Sequence, residues 1–537
     1  MDGLHKEEIA LDTATGFTRR QLLATVGAGT AGIAGTAALA FLDPPLAAAL
    51  TAAPPRPRLA DTWEAATNPS AAPPPSPEVH ALNRLTFGIR PADLTHVQRV
   101  GVARFIAEQL APEAIDDRAT EAVLAGALPS LTLAPPQIGT IARDKEARRP
   151  VALELKQAAI YRAVASPRQL FELAVDFWTN HFNVYHFDSL CAALKTADDR
   201  DVVRAHAFGR FGDFLRASAA SPAMLIMLNN AQNKKGGPNE NYAREVMELH
   251  TISVTGGYTQ TDVQEIARCF TGWTLDAGGA FQFVARNHDT GAKTVLGHAI
   301  PAGGGMGDGE QVLSILAAHP STATFLATKL CRRFLSDTPP AAAVAAAAAT
   351  FTATGGDLRE TLRTILTSAD FAASADAKTR RPFEFLPAAV RALGATVSVP
   401  QGTKSLYGSL HLLAQSPFDW QAPNGYPDAT GAWINTSGLL NRWNLIVALV
   451  GNTLPGVHVD VNSLVSGTPG SITPAQLVNR LTDRLLHRQL IAADRSQLLA
   501  YAAAGVPTGK PIPASLFPGR AADVAALLLD SPYFQWR

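Results

Sequence analysis

The amino-acid sequence predicts a mainly α protein, a multi-helix globular body with a short β-hairpin insertion. The chain has 537 residues, of which 47% are hydrophobic, so it carries enough apolar surface for a sizeable core. After residue 79, apolar side chains recur along most segments at the spacing of an amphipathic helix. Alternation of apolar and polar residues, the pattern of a half-buried strand, is found mainly over residues 281–295.

The first fifty residues predict a signal for export. Arg19 and Arg20 precede a weakly hydrophobic run, rich in glycine and alanine, over 24–42, and small residues at 47–49 offer a cleavage site. The other interpretation is a cytosolic helix that begins with two arginines. We expect residues 1–50 to be a twin-arginine (Tat) signal peptide, and the mature protein to be periplasmic or extracellular.

Proline crowds the next segment, residues 51–78, and predicts a Pro-rich linker. Proline has no backbone N–H and a restricted φ, so such a stretch builds neither a helix nor the interior of a sheet. The remaining residues, 79–537, form the helical body. Periodicity predicts helices over residues 93–110, 150–164, 170–182, 201–219, 239–254, 262–273, 309–318, 322–335, 341–352, 358–368, 382–393, 438–450, 473–486 and 520–529.

Composition and motifs argue against several classes of protein. The 46 basic side chains equal the 46 acidic ones, so charge gives no reason to expect nucleic acid as a partner. After the signal, no apolar run reaches the roughly 20 residues of a membrane helix, and we expect no integral membrane segment. Zinc-protease, nucleophile-elbow and P-loop motifs are absent. The three cysteines lie far apart and are expected to pack as small apolar residues.

The densest polar cluster lies on the predicted helix 239–254. At about 100° per residue, Asn241, Glu245 and Glu248 share one stripe of this helix. Glu245 lies at the border with the apolar face, where burial would raise its pKa toward the range used in proton transfer, while Arg244 would lower it. The competing interpretation is that Arg244 forms i,i+4 ion pairs on a solvated helix face.

Two neighbouring segments add candidate residues. A capping box from Thr261 to Gln264 is expected to start the next helix, and Trp273, after its end, is expected to belong to the core or to a lid. Upstream, the helix 170–182 is apolar on most sides. It places Asn180 on its polar stripe and His181 on its apolar face, where a histidine is either a core residue or a ligand or acid–base group.

The polar motifs of this chain resemble a large bacterial family catalogued as domain of unknown function 1800. The similarity spans residues 80–535. A mild departure is Gly425-Tyr426-Pro427, where members have Gly-Trp-Pro. The matching stretches are Leu82-Asn83-Arg84-Leu85-Thr86-Phe87-Gly88, Phe177-Trp178-x-Asn180-His181-Phe182, 239–249, 258–273, His288-Asp289, 330–334 and Ala432-Trp433-Ile434-Asn435. The resemblance implies an exported, mainly helical protein and, as a partner, a second uncharacterised exported protein, but no reaction, cofactor or metal.

These patterns support two hypotheses of function. In the first, the protein is an exported enzyme with a cleft on helix 239–254, working by carboxylate acid–base chemistry or through a carboxylate/His metal centre. Glu245 is then the base or ligand, Glu248 its partner and Arg244 an electrostatic clamp, with His181 and Asn180 opposite. In the alternative, the protein is a non-catalytic exported scaffold, or a binding protein for a partner protein or surface glycan, and the same polar residues lock two helices together.

Overall fold

The structure is a computed structural model that describes residues 72–185 and 189–537. The predicted signal peptide, 1–50, and most of the predicted linker, up to residue 71, lie outside the described residues. The described part of the chain is mainly α-helical and has three small two-stranded sheets, which confirms the predicted fold class.

Twenty-four α-helices are present in the described residues. In chain order they are α1 (Pro77–Leu85), α2 (Pro91–Val100), α3 (Val102–Gln109), α4 (Arg118–Ala127), α5 (Pro135–Arg143), α6 (Lys145–Ala165), α7 (Gln169–His181), α8 (Cys191–Ala197), α9 (Phe211–Ala219), α10 (Pro222–Met227), α11 (Asn241–Glu245), α12 (Gln260–Cys269), α13 (Gly307–Ala318), α14 (Pro320–Phe334), α15 (Ala341–Ala353), α16 (Leu358–Leu366), α17 (Ala369–Ala372), α18 (Pro382–Ala392), α19 (Gln401–Leu412), α20 (Thr436–Val450), α21 (Pro474–Leu485), α22 (Ala492–Ala503), α23 (Phe517–Asp530) and α24 (Pro532–Gln535).

Most predicted helices are present, with four local differences. The predicted helix 201–219 is divided into a π-helical turn, Asp198–Arg204, and α9. The predicted helix 93–110 is broken into α2 and α3 at Gly101, whose φ of +83° is a conformation that only glycine adopts easily. Thr259, rather than Thr261, caps α12, and its hydroxyl accepts from Asp262 N while the Asp262 carboxylate accepts from Thr259 N. The predicted helix 239–254 continues from α11 into a wide π-helical turn, Val246–His250.

The predicted hairpin over 281–295 is replaced by two hairpins. The strands are β1 (Trp273–Leu275) paired with β2 (Phe281–Phe283), β3 (Lys293–Val295) paired with β4 (His298–Ile300), and β5 (Thr396–Val397) paired with β6 (Val457–His458). Asp276 closes the first hairpin by accepting from two backbone N–H groups of its turn. Leu296 and Gly297, both with positive φ, close the second in the manner of a type I′ turn.

An aromatic cluster around α7 forms the centre of the core. The rings of Trp178 and Phe182 pack on Phe211 and Phe214 of α9 with centroids 4.8–6.3 Å apart. The indole Nε1 of Trp178 donates to the carbonyl of Ala207 at 3.0 Å, so its one polar atom is satisfied. As expected, the three cysteines and Trp273 are buried. Packing on nearly every side of α7 fixes the residues at its C-terminal end.

A buried network of charges ties the C-terminus to the body. The carboxylate of Glu384, on α18, accepts hydrogen bonds from Arg333, Arg381 and Arg537, and all four side chains are buried. Asp176, on α7, accepts from Arg381 at 2.6 Å and from Arg333 at 3.1 Å. The network therefore joins α7, α14 and α18 to the last residue of the chain.

Candidate functional site

His181 lies at the end of α7, buried among aromatic rings, and both of its ring nitrogens have partners. Nε2 lies 3.1 Å from the carbonyl oxygen of His250 and donates to it. Nδ1 is then the acceptor, and it lies 2.9 Å from the ammonium of Lys329 on α14. Burial and the nearby Lys329 charge hold the pKa of His181 well below its usual range, so the imidazole is neutral.

Lys329 and His181 face a cavity of about 240 Å³, which we call the Lys329 cavity. Burial, with a smaller contribution from Arg332, lowers the pKa of Lys329 to about 8, and Asp428 opposes that change. An amine with this pKa is present in both its protonated and its neutral forms near neutral pH. The cavity is lined by Phe177, Asn180, His181, Lys329, Arg332, Arg333, Arg381, Trp420, Asn424, Gly425, Tyr426, Pro427 and Asp428.

The Lys329 cavity has an excess of positive charge. Arg333 and Arg381 are neutralised by the carboxylates of the buried network. Within the described part of the chain, Lys329 and Arg332 form no ion pair with a carboxylate; Arg332 Nε donates to the backbone carbonyl of Asp337 at 3.2 Å. These two cations therefore favour an anion in the cavity.

Asn180 positions the loop that forms the opposite wall. Its side-chain oxygen accepts from Tyr426 N at 3.1 Å, while its side-chain nitrogen donates to the Asp176 carbonyl at 2.7 Å. Gly425 lies against the Asn180 backbone with a φ of +70°, and a Cβ there would come within 2.0 Å of the Asn180 carbonyl oxygen. The loop is therefore held close to the end of α7 by an amide side chain and a glycine.

Arg244 and Glu248 join α11 and its π-helical turn to the start of α12. Arg244 lies 3.6 Å from Glu248, 3.4 Å from Glu240 and 2.9 Å from Gln260, which itself donates to Glu240 at 2.7 Å. The hydroxyl of Tyr258 donates to the Glu248 carboxylate. These contacts form a network that locks two helices.

Glu245 lies beside this network without taking part in it. Its carboxylate is half-buried and forms no hydrogen bond or ion pair with the described residues, and its pKa is raised by burial and then by the charge of Glu248. Neither Glu245 nor Glu248 lines the Lys329 cavity. The structure thus brings Asn180 and His181 together around a cavity and places Glu245, Glu248 and Arg244 elsewhere.

Sequence reasoning missed Lys329, although a signal for it was present. In the predicted helix 322–335, a lysine at position 329 shares a face with Thr322, Leu326 and Arg333, all of which the structure buries. A lysine on a buried face is unusual and points to a partner or a function. Its partner, His181, is 148 residues away in the sequence and could not be identified from local spacing.

Residues 72–185 and 189–537 contain no group of three or more His, Cys, Asp and Glu side chains placed to hold a metal ion. In that same part of the chain, none of the helices combines the length and the apolar content that crossing a bilayer requires.

A family model described as "Protein of unknown function (DUF1800)" matches residues 80–536, nearly all of the described chain. The chain belongs to the DUF1800 family. The expected resemblance is thereby confirmed. No curated protein and no solved structure matches this DUF1800 chain.

Proposed function

We propose that this DUF1800 protein is an exported enzyme that binds a small anionic substrate in the Lys329 cavity and uses Lys329 as a general acid–base catalyst. The observation that carries the proposal is the Lys329 ammonium, which faces a cavity and has a pKa of about 8. Among the described residues it donates a hydrogen bond to the neutral His181 imidazole, lies over the Phe325 ring and forms no ion pair. General acid–base catalysis is most effective when the pKa of the catalyst lies near the working pH.

Three other residues support this role. Arg332 offers a permanent positive charge that would hold the substrate's anionic group. His181 is a positioning residue: because its Nε2–H is bonded to the His250 carbonyl, it presents only a lone pair to Lys329. Asn180 holds the loop 424–427 against the end of α7 and so shapes the entrance. We propose that Arg244 and Glu248 have a structural role outside this site, in which they hold α11 and α12 together.

A specific observation also favours the second candidate, an exported scaffold or binding protein. The Arg244 network contains the i,i+4 pairs that this alternative expects, and it connects two helices. On this view, the Lys329 cavity binds its anion, or a partner protein's carboxylate, without converting it. Measuring binding and turnover separately distinguishes the two candidates.

Calorimetric titration with acetate, pyruvate, glucuronate and inorganic phosphate tests the proposed site. We expect at least one of these anions to bind, and Lys329→Met and Arg332→Gln each to weaken its binding at least tenfold. Affinity should fall as the pH rises through about 8, because Lys329 then loses the charge that attracts the anion. Glu245→Gln is the matched control: it neutralises another partly buried group off the cavity and should bind as the wild type does.

Turnover of the bound anion, followed by NMR, tests the enzymatic part. Lys329→Arg keeps the positive charge but not the near-neutral pKa, so it should retain binding and lose turnover. Binding without turnover in the wild type would favour the binding-protein candidate. Loss of turnover in Glu245→Gln, with Lys329→Met active, would move the site to helix 239–254 and overturn the assignment to Lys329.

Export is a separate proposal, which rests on Arg19 and Arg20 and the apolar run after them. We expect the double substitution Arg19→Lys, Arg20→Lys to leave the uncleaved precursor in the cytoplasm of a Tat-competent bacterium. Arg56→Lys, in the linker, serves as the control and should not change export. Cell fractionation and the mass of the exported chain provide the readout. Normal export of the double variant would contradict a twin-arginine signal.

A further inference from the structure

A second cavity lies between α4, α6 and the π-helical turn Asp198–Arg204, and we call it the Asp199 cavity. Its volume is about 460 Å³, within the range of small-molecule sites in proteins. It shares no lining residue with the Lys329 cavity, so an inference drawn from it does not rest on the proposed function.

Asp199 is a buried carboxylate with no partner in the described part of the chain. Only 4% of the residue is exposed, it faces this cavity, and no described residue donates a hydrogen bond to it. Its neighbour Asp198 shows the ordinary arrangement, because it accepts from Lys195 and from Ser221, each at 2.5 Å. A buried carboxylate without donors costs free energy, so its retention calls for an explanation.

Unused donors face the same cavity. Arg162 binds Glu121 through Nε and Nη2, and Arg204 binds Glu172 through Nη1 and Nη2, each as a two-pronged pair. The two pairs neutralise the guanidinium charges but leave Arg162 Nη1 and Arg204 Nε without an acceptor among the described residues. The hydroxyl of Thr196, which also lines the cavity, is buried and has no partner there.

This combination selects the chemistry of the ligand. A small anion would be repelled by Asp199, and a small cation would meet the guanidinium groups that line the cavity, those of Arg162, Arg168, Arg200 and Arg204. A hydroxyl group can donate to the Asp199 carboxylate and accept from an arginine N–H at the same time. The leucines of the wall, Leu124, Leu131 and Leu155, suit the C–H face of a ring. We propose that the Asp199 cavity binds a neutral polyhydroxylated ligand, a mono- or disaccharide.

Titration calorimetry of the whole protein with glucose, galactose, mannose, maltose and cellobiose tests this proposal. Glucuronate, phosphate and putrescine are the charged comparators, and they are titrated into Lys329→Met so that binding in the Lys329 cavity does not contribute. We expect one of the neutral sugars to bind and Asp199→Asn to weaken its binding at least tenfold. Asp213→Asn is the matched control and should bind normally, because Asp213 is exposed and pairs with Arg216, and neither residue lines the cavity. Asp199→Asn itself should melt at or above the wild-type temperature at pH 7, because it removes a buried charge.

Each other outcome overturns the proposal. These outcomes are binding of none of the neutral sugars, binding of a charged comparator alone, unchanged sugar binding in Asp199→Asn, and a melting temperature of that variant clearly below the wild type. Thr196→Val, which preserves shape and removes the hydroxyl, is a second variant for the titration. It should weaken sugar binding several-fold, and wild-type binding by this variant would equally reject the site.

Discussion

Replacing Glu384 by glutamine is expected to lower the free energy of unfolding by about 3–5 kcal/mol. Glu384 is 2% exposed and is the shared acceptor of three buried guanidinium groups, those of Arg333, Arg381 and Arg537. The glutamine keeps the shape but not the charge, so three cations would remain buried with only part of their compensation. The cost of an uncompensated buried charge exceeds the worth of an ordinary hydrogen bond.

Denaturant unfolding at pH 7 measures this effect. Glu360→Gln is the matched control, because Glu360 forms an ion pair with Arg363 in which both side chains are about two-fifths exposed, and a change within about 0.5 kcal/mol is expected there. A loss below about 1 kcal/mol would show that the network contributes little to stability.

Lys329 is expected to react with cyanate about 10- to 100-fold faster than an exposed lysine at pH 8. With a pKa of about 8, half of its amine is neutral at that pH. An ordinary lysine, with a pKa near 10.4, is neutral in only about 0.4% of molecules. Carbamylation measured by peptide mass spectrometry, with the exposed Lys235 as internal reference, should give a rate profile for Lys329 with a midpoint near pH 8.

The variant Arg332→Gln tests the direction in which the pKa of Lys329 is shifted. Arg332 contributes to the low pKa of Lys329, so Arg332→Gln should move the midpoint of the carbamylation profile upward.

The free energy of unfolding should also depend on the pKa of Lys329. That pKa is lower in the folded chain than in the unfolded chain, so between pH 8 and 10.5 the unfolded chain binds more protons and the free energy of unfolding rises with pH. Lys329→Met should remove this rise. A wild-type midpoint near pH 10 would contradict the proposed state of Lys329.

Periodicity predicted the helices well where one apolar face packs on the body, as in α14, α16 and α18. It predicted less well where distant contacts decide the structure. The strand 281–283 pairs with 273–275 because the Asp276 side chain forms a turn between them. His288 is buried, with Nδ1 2.8 Å from the Thr271 carbonyl and Nε2 3.1 Å from Asp308, contacts that local spacing does not reveal.

The candidate site shows the same difference between local features, which the sequence reveals, and distant contacts, which it does not. Asn180 and His181 could be named as candidates from the sequence, since a histidine on an apolar face and an amide on a polar stripe are local features. We propose that Glu245 lies outside the site because α11 and its π-helical turn direct their charged side chains toward Tyr258 and Gln260. The same segment contacts His181 through the backbone carbonyl of His250. Asp199 gave no signal at all, because a lone aspartate looks the same in sequence whether or not donors surround it.

The amino-acid sequence by itself determined the helical class, the family and the local polarity of each segment, because these depend on spacing and residue type over short stretches. Only the tertiary structure decided which charges are neutralised and which are left facing a cavity. The pKa of Lys329 and the lack of a partner for Asp199 among the described residues both depend on desolvation and on side chains brought from distant positions. Such electrostatic effects become definite only when the chain has excluded water around them.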